Sequence, residues 1–146
     1  MCLDFLNRYQ ALGFIILRLG IGGMFMWHGS EKLAGGPELW RKIGAAISHL
    51  GVHGAYNIFG FMAAMSEFGG GLCLILGLFF RPACFFMFFT MFVAATMHLT
   101  QGDGLPKASH AVEAAILFLS LMFIGPGPYN LDEKLTLLCK KSNPRI

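Results

Sequence analysis

Charge is what this 146-residue chain has least of: only 13% of its residues are Asp, Glu, Lys or Arg, against about 25% in ordinary soluble domains. No basic stripe or nucleic-acid motif is present, so nucleic-acid binding has no support. The four cysteines, Cys2, Cys73, Cys84 and Cys139, contain no C-x-x-C pair, which argues against a thiol-exchange centre or a disulfide framework. There is no Walker-type loop, no G-x-G-x-x-G after a strand, no haem-attachment motif and no serine elbow, so no familiar nucleophile or nucleotide site is on offer. Period-two alternation is missing too, which leaves helices as the way across a bilayer. No small-x-small cleavage site follows Trp27, and the first apolar run is read as retained, not as a signal peptide.

What fills the chain is apolar. Hydrophobic residues make up 55% of it and the mean hydropathy is +0.62. Four runs stand out, at about 9–29, 56–80, 82–99 and 109–124. A span needs roughly 17–25 residues, so the fourth run is short. The expected fold is all-α: a four-transmembrane-helix bundle forming one domain over 1–146, with a C-terminal tail from 129. In the long first loop Leu39, Ile43, Ile47 and Leu50 recur at helical spacing beside Trp40, Arg41 and Lys42, which predicts a short interfacial helix. Arg81-Pro82 reads as a tight turn with Pro82 opening the third helix. Gly125-Pro-Gly-Pro128 stops the fourth. Asn130 with Glu133 resembles a capping box that starts a short helix towards Cys139. Lys and Arg divide six against four between the two sides, a bias towards cytoplasmic termini.

The scarce charges carry the functional question. Glu67 sits inside the second run, Arg18 inside the first and Glu113 inside the fourth. A charge at bilayer depth costs about 2.5–3.5 kcal/mol on insertion scales, so such residues normally face a bundle interior. Gly60, Ala63, Ala64, Gly70 and Gly71 share a helical face with Glu67, which aims that face at protein. Arg18 is the expected ion-pair partner of Glu67, since the guanidinium fork matches a carboxylate. His28, His98 and His110 all fall near one membrane face because the helices alternate. His110 and Glu113 at i, i+3 share a helix face, and with His28 and His98 they are weak candidates for a metal or proton relay. His49 and His53, on the first loop, are read as solvated.

Three stretches resemble the DoxX family of small membrane proteins. The first is Arg18-Leu-Gly-Ile-Gly22-Gly-Met-Phe25-Met-Trp-His28-Gly-Ser-Glu-Lys32-Leu33, the second Glu67-Phe-Gly69-Gly70-Gly-Leu-Cys-Leu-Ile-Leu-Gly77-Leu-Phe-Phe-Arg81. The third is the closing Gly125-Pro-Gly-Pro-Tyr-Asn-Leu-Asp132. The resemblance implies a four-helix membrane bundle, placed in a bacterial inner membrane. Because the family is named for a subunit of a thiosulfate:quinone oxidoreductase, it also implies a role in a quinone-linked redox system. Carried over by motif, Arg18, His28, Gly29, Lys32, Glu67, Gly70 and Arg81 are the positions to watch.

The candidate ligand-binding set is therefore Arg18, His28, Lys32, Glu67, His98, His110 and Glu113, with a quinone as the ligand. A redox partner protein or a second copy of the chain is the expected company in the bilayer. Two other readings stand beside it: a non-catalytic membrane scaffold, and a membrane protein handling a metal, a proton or a small solute.

Overall fold

The apolar runs fold as long helices. The computed structural model describes residues 4–135. A 3-10 segment (Asp4–Tyr9) leads into α1 (Gln10–Ala34); α2 (Gly36–Gly44) and a second 3-10 segment (Ala45–Leu50) follow, then α3 (Tyr56–Leu76), α4 (Phe80–Thr100) and α5 (Gly104–Ile124). No strand occurs among the described residues. Four helices are long and apolar enough to cross a membrane: Phe5–Ala34, Tyr56–Leu76, Phe80–Thr100 and Gly104–Ile124.

Helix ends differ from the hydropathy bounds for local reasons. α3 stops at Leu76, before Phe80, because Gly77 adopts φ +63°. Its N–H reaches Leu74 O while that of Leu78 reaches Cys73 O, the paired bonds of a Schellman C-cap. α4 starts at Phe80, ahead of Pro82, because the Asp132 carboxylate accepts from the Phe79 and Phe80 N–H groups at 3.0 and 3.3 Å. α5 starts at Gly104 rather than Ser109 and so reaches 21 residues, with Pro106 in the first turn, where a missing N–H costs nothing. Half of the expected Asn130–Glu133 capping box forms: Glu133 N–H donates to Asn130 Oδ1 at 2.7 Å, while Glu133 Oε2 accepts from the Asn130 side-chain amide at 3.4 Å instead of from its backbone N–H. The helix expected to run on towards Cys139 lies largely outside the described residues.

Glycine sets the helix spacing. α1 runs antiparallel to α3, and a Cβ on Gly22 would lie 2.7 Å from Gly71 O. At Gly29 it would strike the Phe68 backbone, at Gly60 the Trp40 carbonyl, and at Gly44 the Tyr56 carbonyl. Thus α2, which covers Leu39 and Ile43 of the helix expected in the first connection, lies along the first half of α3, whereas Ile47 and Leu50 fall in the 3-10 segment that follows. Trp40 donates its indole N–H to Lys32 O at 2.9 Å. Gly29→Ala is expected to destabilise the protein by about 1–3 kcal/mol through overpacking. Gly20→Ala, with nothing within 4 Å of its added methyl, should be neutral or better; thermal unfolding in mild detergent compares the two. The main core is built from Phe25, Leu74, Phe80, Met87, Phe118 and Leu121, with the Phe25 and Phe118 rings edge-on at 4.8 Å.

Polar residues tie the helix ends together. His49 is not simply solvated: its Nδ1 lies 2.7 Å from Thr100 Oγ1. The same hydroxyl lies within hydrogen-bond distance of Thr96 O and Met97 O at 2.8 and 3.0 Å, so the connection to the first loop is anchored on the last turn of α4. In the α4–α5 turn Asp103 bonds Lys107 Nζ at 2.7 Å and His98 Nδ1 at 2.8 Å. The bonds from Lys107 and then His98 hold the Asp103 carboxyl below the usual carboxylate range. A lowered carboxyl pKa stabilises the fold above the unfolded value, and that contribution disappears as pH falls through the folded one. Below about pH 4 the wild type should lose stability more steeply than Asp103→Asn, as acid titrations of the unfolding midpoint would show.

Candidate functional site

Glu67 reaches the interior because α3 turns its small-residue face towards α1 and α2. Its carboxylate is 1% exposed, yet its partner is Lys32, not Arg18. Lys32 Nζ lies 2.5 Å from each carboxylate oxygen and the lysine is 32% exposed. The lysine stem runs from the last turn of α1, where the antiparallel pairing with α3 brings position 32 level with position 67.

This pair borders a cavity of about 530 Å³ lined by α2, the Ala45–Leu50 segment, α3 and α4. Leu39, Ile43, Ile47, Phe59, Met91 and Val93 give it apolar walls, while Lys32, Glu67, Ser66 and Thr90 bring the polar groups. Volume and lining fall in the range of small-molecule sites, which are apolar with a few convergent polar groups. A smaller cavity of about 360 Å³ adjoins it along the α3–α4 seam and shares Met62, Ser66 and Phe86.

Ser66 is the residue that sequence reasoning missed. Its Oγ is buried without a hydrogen-bond partner among the described residues. Helix hydroxyls normally bond back to the preceding turn, and Ser30, Thr90, Thr96, Thr100 and Ser120 all do so here. A serine beside a buried carboxylate on a small-residue face was the available signal. Nothing in the sequence announced that it would forgo the back-bond.

Arg18 works at the other end of the bundle. It is 4% exposed and donates through Nε to Leu74 O and through Nη2 to Ile75 O, both at 2.8 Å. Nη1 reaches Tyr129 O at 3.3 Å and Pro126 O at 3.4 Å. The expected Arg18–Glu67 pair is therefore absent, because antiparallel packing sets Arg18 beside the C-terminus of α3. There the guanidinium meets the last carbonyls and the negative end of the helix dipole. Together with Asp132, it fastens the Gly125–Asp132 stretch over the α3–α4 turn.

The histidines do not converge. His28 is half-buried, His98 is spent on Asp103, and His110 and Glu113 are exposed on α5. No group of three metal-ligating side chains occurs among the described residues, so the weak metal set of His28, His98, His110 and Glu113 is not assembled. Shared depth near one face put them in one layer, but rotation of each helix about its axis points them apart.

The motifs of the sequence thus divide by task. Arg18, Gly77 and the Gly125–Asp132 stretch tie down the α3–α4 turn, while Lys32 and Glu67 border the cavity. A family model described as DoxX matches residues 3–99. An uncharacterized protein of Haemophilus influenzae (strain ATCC 51907 / DSM 11121 / KW20 / Rd) is 32% identical over 136 residues, covering 88% of this chain and 95% of that protein. No solved structure matches. The family match over most of the chain, taken with four helices of membrane-spanning length, establishes a multi-pass integral membrane protein that belongs to the DoxX family.

Proposed function

We propose that the cavity beside Glu67 binds the ring of a membrane-soluble quinone, and that the protein serves a quinone-linked redox system as a membrane subunit or accessory. The observation that carries this reading is the meeting of a Lys32–Glu67 pair and a partnerless Ser66 hydroxyl with apolar walls. A quinone ring is flat and apolar with a carbonyl at each end, and reduction to the quinol takes two electrons and two protons. Lys32 ammonium and Ser66 hydroxyl supply donors for a ring oxygen, and Glu67 is a proton-exchanging group within reach of the same space. The electrons belong to a partner chain, since this one offers no redox cofactor motif. The adjoining α3–α4 cavity suits an apolar tail. The Lys and Arg balance supports cytoplasmic termini in a bacterial inner membrane.

A short-chain quinone titrated into the purified protein tests this. Saturable thermal stabilisation, approaching about 2.7 kcal/mol at a hundredfold excess over Kd, is expected in the wild type. It should vanish in Ala63→Trp, which fills the cavity, and weaken in Ser66→Ala. If the wild type shows no saturable shift, the ligand reading fails and the scaffold reading replaces it.

A further inference from the structure

Among the described residues, Glu113 is the one mid-span carboxylate that the bundle leaves outside. It is the tenth of the 21 residues of α5, one position from the helix midpoint. The opposite face of α5, with Ala108, Ala111, Ala114, Ala115, Phe118 and Leu121, is buried in the bundle, so Glu113 is turned away from it and is exposed. His110, one turn earlier on the same face, is exposed as well. Neither side chain finds a hydrogen-bond or ion-pair partner among the described residues. Towards hydrocarbon, such a carboxylate would forfeit about 2.5–3.5 kcal/mol on insertion scales.

We propose that this face of α5 is a dimer interface between two copies of the chain, in which His110 of each copy meets Glu113 of the other. A two-fold axis along the membrane normal makes the contact self-complementary: residue i meets j and j meets i. His110 and Glu113 are three residues apart, about 4.5 Å along the helix axis, a rise that two facing side chains span. One helix face thus carries both halves of the match, and the reciprocal pairing neutralises two intramembrane polar groups without a further protein. Ile116 at 60% and Phe123 at 73% exposure continue the stripe with apolar contact area. Ser120, seven residues after Glu113, turns its hydroxyl back to Ile116 O and presents a small side chain, as close helix pairs in membranes favour.

Disulfide trapping in native membranes tests the contact. Ile116→Cys should yield covalent dimer on mild oxidation, above the background set by the chain's own cysteines. Leu12→Cys, on the exposed face of α1, should stay at background. In nanodiscs, native mass spectrometry should find two copies for the wild type. His110→Glu, which faces two carboxylates with two more, should weaken dimerisation about tenfold or more. The exchange His110→Glu with Glu113→His keeps each pair and should restore it. A wild type that stays monomeric across lipid-to-protein ratios overturns the proposal. So does trapping through α1 instead of α5, or an exchange variant no better than His110→Glu.

Discussion

Lys32→Met should cost the protein about 3–5 kcal/mol, the loss associated with removing one partner of a buried ion pair. The size follows from the asymmetry of the pair: Glu67 is 1% exposed while Lys32 keeps 32% of its surface open. Without the ammonium the carboxylate has no escape to water, whereas a lone Lys32 can extend along its flexible stem towards solvent. Glu67→Met should accordingly be milder than Lys32→Met. The double variant Lys32→Met/Glu67→Met should recover most of the loss, since replacing both charges with apolar groups of similar volume is often neutral or better. A double-mutant cycle measured by reversible unfolding in detergent supplies all four values. Additive single effects would mean that the two side chains act independently. Quinone binding separates stability from function: the double variant should be as stable as the wild type and still fail to bind.

Arg18→Leu should be comparably damaging for a different reason. Its guanidinium satisfies carbonyls from α3 and from the Pro126–Tyr129 stretch, and hydrogen bonds from a charged donor contribute about 1.5–3 kcal/mol each. Two of the bonds are long, so a loss of about 3–5 kcal/mol is expected rather than the full sum. Arg18→Lys should recover only part, because an ammonium cannot span a helix terminus and a separate loop as a planar fork does. The loop should also loosen, with a cysteine at Tyr129 labelled faster in Arg18→Leu than in an Arg18 background. Ligand titration at the cavity should be unchanged in any folded Arg18 variant, because Arg18 lies about 21 Å along α1 from Lys32. An altered ligand affinity would tie the two ends together and contradict the division of tasks.

These two variants show where sequence reasoning ran out. Arg18 and Glu67 stand out from sequence alone because an isolated charge in an apolar run is conspicuous. Pairing them with each other followed from charge complementarity. Antiparallel packing made the choice instead: with Gly22 against Gly71, position 18 falls beside the end of α3 and position 32 beside Glu67. Lys32 stands out in the sequence through its motif, not through its geometry, since a lysine in the last turn of a helix ordinarily reaches water. Ser66 carried no charge to mark it. The cavity needs the Ala45–Leu50 segment to fold back over α3 and α4, a long-range arrangement that no spacing pattern encodes.

Hydropathy along the chain was enough to establish the membrane, the spanning helices and their number, because backbone polar groups in hydrocarbon leave a spanning segment hardly any other conformation. Glycine positions likewise announced which faces would meet. The rotation of each helix about its axis, and with it the partner of every charge, came only from packing. A turn of about 100° per residue moves a side chain from core to lipid while leaving its depth unchanged, and this is why Glu67 faces a cavity while Glu113, equally deep in its own run, faces out.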